Sequence, residues 1–414
     1  MAMKESGIEW VGSIPDTWDV IPNKYIMHKE KNLCEKWTGE DVMSLTMNGV
    51  IVRDLQNPTG KMPATFDGYQ YIEDGDLLMC LFDIDVTPRC IGKVTHNGVT
   101  SPAYSNFKTH DNASRDYYYY YYLMVDNTKE LLHLAKNLRH SFTEEQLGSL
   151  KVPMPPLTEQ QVIADYLNEK CSKIDDIIAE ANASVEEYKE LKQAVIDNAT
   201  MTGIHDSEMK YTDYVWFPEM PKSWNLVLAS LLFREDVRPI DANDVSLSLS
   251  QVDGLIPTDD MSERSLKSAT HDNWKHVIPD DLVLNRFKGH LGVFFASKYT
   301  GMVSFHYGVY HAIRDDVYAK YYEYLFHSTT YKNIFALKSN GITVGLQNLS
   351  NGNFYSVKIL HPTLDEQIEI VKYLDKRTAE IDSLIAEKES LIKDLELYKK
   401  SLIYEVVTGK RRVV

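Results

Sequence analysis

Apolar residues recur every seventh position at Leu167, Ile174, Ala181, Tyr188 and Val195, with Cys171, Ile178 and Val185 interleaved. That 3-4 spacing draws one narrow apolar seam along an α-helix. Behind Pro155 and Pro156, Thr158 and Gln161 have the spacing of a capping box, so a helix is predicted to start there and to stop at Gly203. A second seam runs through Leu374, Ile381, Leu395 and Leu402, with Thr378, Ile385 and Ile392 between, and ends at Gly409. Some 40 helical residues at about 1.5 Å each make a rod of roughly 60 Å. So narrow a seam needs a partner. Antiparallel packing of the two copies is expected, through Leu167, Ile174, Ile178 and Val185 on one and Leu374, Ile381, Ile385 and Ile392 on the other. Homodimerisation through the same seam is the alternative.

Outside the seams the pattern shortens to strands and turns. Tyr71 to Met79 precedes Ile91 to Val94, and Val277 to Leu284 precedes Leu291 to Phe294. Thr100-Ser101-Pro102-Ala103-Tyr104 and Val303-Ser304-Phe305-His306-Tyr307 follow in turn. The fold class read from these patterns is α+β: two mixed α/β domains joined by two long antiparallel coiled-coil helices.

These paired features belong to an internal repeat. At a shift of 207, Pro155-Pro156-Leu157-Thr158-Glu159-Gln160 returns as Pro362-Thr363-Leu364-Asp365-Glu366-Gln367, and Ile178-Ala179-Glu180 as Ile385-Ala386-Glu387. Upstream, Trp10, Pro15 and Trp18 return as Trp216, Pro221 and Trp224 at a shift of 206. So long a period is far from that of solenoids, and each copy can enclose its own core. A pseudo-twofold arrangement is predicted, with segments 1–156, 157–206, 207–362 and 363–414 as domain, helix, domain, helix. Between the shared elements the copies barely agree, as in residues 48–66 against 251–272. A common scaffold with divergent loops suits two different specificities.

Composition refines this picture. At 414 residues, 43% hydrophobic and 25% charged, the chain reads as globular with two or three domains. It lacks an apolar run of membrane-spanning length and an apolar signal core, so a cytoplasmic protein with no membrane partner is expected. Cys34, Cys80, Cys90 and Cys171 show no C-x-x-C spacing and are read as reduced, mostly buried thiols. The net charge of −16 argues against nonspecific coating of nucleic acid. The acidity is uneven: −6 over residues 1–153 and −7 over 154–206, against −2 over 207–361 and −1 over 362–414.

Gly7-Ile8-Glu9-Trp10, Ile14-Pro15 and Trp18, the Gly75-Asp76-Leu77-Leu78 strand, Ser101-Pro102-Ala103-Tyr104, and above all Val152-Pro153-Met154-Pro155-Pro156-Leu157-Thr158-Glu159-Gln160 before a long helix ending in Thr-Gly form a recognisable set. The chain resembles the specificity subunit of Type I DNA restriction-modification systems over essentially its whole length. Departures are Pro362-Thr363 in place of paired prolines and Tyr214-Val215-Trp216-Phe217-Pro218 as a loose copy of the opening motif. The resemblance implies that each globular half is a target recognition domain reading one half of a bipartite, asymmetric double-stranded DNA sequence, with the helices as spacer. It also implies partners: two methyltransferase (modification) subunits carrying S-adenosylmethionine and methylating adenine N6, and restriction/translocase subunits using ATP and Mg. No cofactor is expected on this chain.

Residue chemistry agrees with a subunit that selects a site without reacting. Asn57-Pro58-Thr59-Gly60 lacks the second proline and aromatic of an amino-methyltransferase and reads as a turn. No phosphate-binding G-x-x-x-x-G-K-[ST] loop occurs. Asp83 and Asp85, on one face of a supposed strand, have no third ligand nearby and read as solvated acids rather than metal ligands; His306 and His311 lack the spacing of a zincin. The six tyrosines Tyr117 to Tyr122 could stack on bases, yet their aromatic counterpart at 318–326 favours core packing. Base readout in a duplex calls for Arg or Lys on guanine and Asn or Gln on adenine. The candidates on divergent loops are Lys61, Arg89, Lys93 and Lys108 in the first half, and Arg286, Lys288, His290, Lys338, Ser339, Asn340, Gln347 and Asn348 in the second. Arg286-Phe287-Lys288-Gly289-His290 is the strongest cluster, with cations and a flexible glycine in one turn after a strand.

Overall fold

A computed structural model describes residues 2–58, 60, 62–135, 141–235, 237–250, 254–261, 271–339 and 348–413. The chain divides into two units, Met1–Asn182 with Ser390–Val414, and Ala183–Glu389. Each unit thus takes part of both long helices, Leu157–Thr202 and Leu364–Val407. Among the described residues no helix is long and apolar enough to cross a membrane.

In unit 1 the strands Ile91–Lys93, Leu77–Met79, Ser105–Thr109 and Met27–Glu30 form one antiparallel sheet. A second sheet orders Leu33–Cys34, Tyr69–Ile72, Gly98–Thr100, Val42–Thr46 and Gly49–Val52, with one parallel pair, Gly98–Thr100 beside Val42–Thr46. Unit 2 repeats the plan. Phe233–Glu235, Tyr307–Ala312, Leu282–Asn285 and Phe294–Ala296 form one sheet, and Gly254–Pro257, Val245–Ser250, Gly301–Val303 and Lys275–Val277 the other, whose parallel pair is Val245–Ser250 with Gly301–Val303. The turn before Leu77 has φ +90° at Gly75, and its counterpart before Leu282 has φ +67° at Asp280. In each, the next aspartate closes the turn: Asp76 accepts from the Glu73 amide at 2.9 Å and Asp281 from the Ile278 amide at 2.9 Å. The Gly-Asp-Leu-Leu signature is therefore a turn that needs a left-handed residue followed by a buried acceptor.

The tyrosine run lies in the helix Arg115–Thr128 and packs into the core of unit 1, as the sequence favours. Tyr117, Tyr118, Tyr120, Tyr121 and Tyr122 are buried, and most of their hydroxyls find partners: Tyr118 donates to Pro153 O at 2.9 Å, Tyr120 to Asn168 Oδ1 at 3.0 Å, and Tyr121 accepts from Trp10 Nε1 at 3.2 Å. A hydrogen bond to the hydroxyl offsets the cost of burying it with the large apolar ring; the Tyr122 hydroxyl is the exception among these five.

The two heptad seams pair antiparallel within each unit, as predicted. In unit 1, Ile163, Leu167, Cys171 and Ile174 share a core with Leu402, Ile403, Val406 and Val407, and Lys399 Nζ lies 2.6 Å from Asp175. In unit 2, Ile196 and Ala199 share a core with Ile370, Val371 and Leu374, and Lys192 Nζ lies 2.7 Å from Asp382. Val185 and Ile381 are buried; Ile178, Ile385 and Ile392 are half-buried. Seam residues along both helices thus face protein within the same chain.

The duplicated Glu-Gln pair ties each helix to a globular domain. Trp18 Nε1 donates to Glu159 at 3.0 Å, and Trp224 Nε1 to Glu366 at 3.2 Å. Gln160 accepts from the Ser114 amide at 2.7 Å and donates to Pro155 O at 2.8 Å; Gln367 accepts from the Tyr318 amide at 2.8 Å and donates to Pro362 O at 3.0 Å. Both glutamines are fully buried, where their amides must be matched on both edges. The capping box expected at Thr158 and Gln161 does not form. The helix already begins at Leu157, the Glu159 and Gln160 amides bond to Pro156 O at 2.9 and 3.0 Å, and Gln161 reaches forward to Asp165 at 2.9 Å. The box forms in the second copy, between Thr363 and Glu366, at 3.4 Å from the Glu366 amide and 3.0 Å from the Thr363 amide. Proline at the corresponding position 156 has neither the hydroxyl nor the N–H that the box requires.

Candidate nucleic-acid interface

The sheet edge of unit 2 carries a buried polar network. Glu235, at the end of Phe233–Glu235, receives Lys275 Nζ on one carboxylate oxygen at 2.7 Å and Arg286 Nη2 on the other at 2.6 Å. Arg286 also reaches Asn351 Oδ1 at 2.7 Å, Tyr310 donates to the same oxygen at 2.9 Å, and the Asn351 amide donates to Glu235. Burial alone would raise the Glu235 pKa, but hydrogen bonds from Lys275 and Asn351 and the charges of Arg286 and Lys275 outweigh it, and the carboxyl is held below its ordinary value. Burial lowers the Lys275 pKa despite the neighbouring carboxylate. With two cations on one anion, the network keeps a net positive charge.

Arg286 is thus half-buried and committed to Glu235 and Asn351, whereas Lys288, next on the loop but one, is exposed. Phe287 is also exposed, and its ring lies 4.9 Å from His306, whose ring in turn lies 3.8 Å from that of Phe305, tilted by 40°. Lys338 is exposed and donates to Ser356 Oγ at 3.2 Å; Ser339 turns back to Phe335 O at 2.7 Å. Asn348 is exposed beside Leu349, whose amide bonds to Arg286 O at 3.2 Å. Asn340, Gln347 and Lys61 lie outside the described residues, as does the side chain of His290.

In unit 1 the described candidate cations, Arg89, Lys93 and Lys108, are all engaged. Arg89 bonds to Met47 O at 2.7 Å, Ile91 O at 3.2 Å and Tyr119 Oη at 2.9 Å, pinning the loop after residue 81 to the helix Arg115–Thr128. Lys93 faces Asp116 at 3.3 Å and lies over the Tyr119 ring at 5.9 Å. Burial raises the Asp116 pKa, but Asn168, Lys93 and Arg115 more than reverse it. Lys108 pairs with Glu73 at 2.8 Å. Arg89 and Lys93 meet at Tyr119; Lys108 does not join them. Asp83 and Asp85 sit in a turn, not on a strand, with φ +46° at Asp83.

Sequence reading missed Glu235, Lys275 and Asn351. Their positions lie far apart along the chain, and no local pattern announces that one carboxylate will gather two cations, one from a strand and one from a turn.

The description Type I restriction modification DNA specificity domain matches residues 84–187 and 257–394, more than half of the chain. The chain belongs to this family. Each repeat carries one matched stretch, which runs into the long helix that follows it. A chain solved as the "structural basis underlying complex assembly and conformational transition of the type I R-M system" matches with TM-score 0.68 at 12% identity, over 96% of this chain and 99% of that one. The HsdS subunit from Thermoanaerobacter tengcongensis matches with TM-score 0.52 at 13% identity, over 96% and 98%. At these identities the likeness concerns the fold, which the specificity protein shares with them end to end. Its role is that of a DNA specificity subunit.

Proposed function

We propose that this specificity subunit selects a bipartite, asymmetric DNA target, one half read by each unit. Two methyltransferase subunits carrying S-adenosylmethionine methylate adenine N6 at the selected site, and restriction/translocase subunits, supplied with ATP and Mg, cleave DNA in the cytoplasm. The chain itself carries out no chemistry. The observation that supports this reading best is that the family's specificity domain occurs twice on one scaffold whose loops differ. Adenine within a duplex is reached by extrusion from the stack, so the partner enzymes need only be placed over it. Long-read mapping of methylated DNA, from cells expressing the chain with its methyltransferase partner and from cells lacking the chain, tests the reading. A two-part N6-methyladenine motif that depends on the chain is expected; no such motif with an active methyltransferase would overturn it.

A further inference from the structure

We infer that Phe287, Lys288, Phe305 and His306 form the base-contacting tip of unit 2, and that Arg286, Lys275 and Glu235 are positioning residues that hold the tip's two loops together. The inference rests on the DNA-reading role above and adds to it the residues that discriminate one half-site.

The tip consists of two turns brought side by side. One follows the strand Leu282–Asn285 and carries Phe287 and Lys288; the other joins Gly301–Val303 to Tyr307–Ala312 and carries Phe305 and His306. Their tips touch through Phe287 and His306 at 4.9 Å. Their roots meet at Glu235: Arg286, from the first turn, occupies one carboxylate oxygen, and Lys275 occupies the other while donating to Tyr307 O at 2.5 Å at the base of the second turn. A carboxylate held by two cations inside the sheet edge fixes both loops without using the exposed side chains. Those side chains are therefore free to be chosen for what they contact.

Unit 1 keeps one of these roots and differs at the tips: the strand registers place Leu81 where unit 2 has Arg286 and Lys29 where it has Glu235, so no carboxylate joins the two turns there. Gln70, strand-equivalent to Lys275, is buried and donates to Tyr104 O at 2.7 Å and Ser101 O at 3.0 Å, the same service to the same turn. The strand register keeps a phenylalanine at Phe287, as Phe82, but places Asp83 where unit 2 has Lys288, and Pro102 and Ala103 where it has Phe305 and His306. Three of the four equivalent points thus differ, an acid standing for the cation and small residues for the second aromatic pair, as two half-sites of different sequence require. Exposed aromatic rings beside a solvated ammonium suit a duplex: the rings offer flat apolar faces to thymine methyl groups and the lysine a cation for guanine or phosphate. An acidic protein surface would be served by the lysine alone and gives no reason for two exposed phenylalanines.

The test uses the full chain with its methyltransferase partner and reads the methylated motif. For Phe287→Ala with Phe305→Ala, discrimination at one or more base pairs of a single half-motif should fall roughly tenfold or more, with the other half-motif unchanged. Glu235→Gln should relax the same base pairs, because it acts through the same loops. An unaltered motif from the double variant, beside a clear wild-type motif, would overturn the tip while leaving the proposed function standing. Relaxation of both half-motifs to the same degree would also overturn it, whereas absence of any wild-type motif would remove the function and the tip together.

Discussion

Tyr117 donates its hydroxyl hydrogen bond to the carbonyl oxygen of Val407, 2.9 Å away and 290 residues further along the chain. Tyr321 makes the matching bond to Thr200 O at 3.3 Å in unit 2. Each globular domain is therefore completed by the far end of the helix that belongs to the other repeat. Ending the chain at Glu389 should damage the half that is left intact in sequence. It removes Leu402, Ile403, Val406 and Val407 from the core of unit 1 together with the acceptor of Tyr117, while all of unit 2 remains. Four buried aliphatic residues at about 2 kcal/mol each represent a large share of a domain's net stability. Limited proteolysis should degrade residues 1–182 of the truncated chain and spare 183–389; equal resistance of both would contradict this partition.

The Thr-Gly ends of the two helices look alike in sequence and are not equivalent in packing. Gly409 has φ +71°, and a Cβ there would come within 2.5 Å of Pro15 and 3.0 Å of Trp18; Gly203 has φ +80°, and its nearest neighbour would be Trp224 at 3.4 Å. Left-handed backbone alone costs a non-glycine residue about 1 kcal/mol. Gly203→Ala should therefore destabilise by about 1 kcal/mol, and Gly409→Ala by about 2 kcal/mol or more, because overpacking adds to the strain. Urea denaturation of the two variants measures the difference, and equal losses would show that the Pro15 contact relaxes without cost.

Of the two interhelical ion pairs, Asp175–Lys399 and Lys192–Asp382, each has a half-exposed aspartate. Exposed pairs are screened by solvent and contribute little, so Lys399→Ala and Lys192→Ala should each cost only about 0.5 kcal/mol, less at high salt. Their effect is on register, since the same two positions pair in both units. Reversing Lys399 to Glu should be repaired by Asp175→Lys and not by Asp382→Lys, a double-mutant cycle that reads the pairing directly.

The long helices, their seams and the repeat were legible because each rests on a local period: seven residues for the seam, about 207 for the duplication. The tyrosine run was legible as core because its counterpart keeps aromatic character without keeping identity. The capping box was expected at Thr158, where none forms, since the T-x-x-Q string lies inside a helix that already begins at Leu157 behind Pro156. The interface was the least legible part. Arg286 stood out as a cation in a turn, but its partners come from a strand 51 residues before it and a short helix 65 residues after it. Burial turns a candidate contact into a support, and only the three-dimensional arrangement reveals which neighbour, here Lys288, remains outside.

That support gives unit 2 an acid sensitivity. Because Glu235 titrates below its ordinary 4.5 in the folded protein, the network stabilises unit 2 fully above about pH 4.5 and loses that contribution as the pH falls through the lowered folded value. Protonation would leave Lys275 and Arg286 facing each other across a neutral carboxyl, with Arg286 Nε already lacking a partner. Glu235→Gln imitates this state at neutral pH and should cost on the order of 2 to 4 kcal/mol, the range for stranding a buried charge. The variant should also lose part of the acid-dependent drop, so that wild type and variant converge in stability as the pH falls below 4.5, read as thermal midpoints of unit 2. If the gap between them stays constant as the pH falls, Glu235 is not the group that titrates.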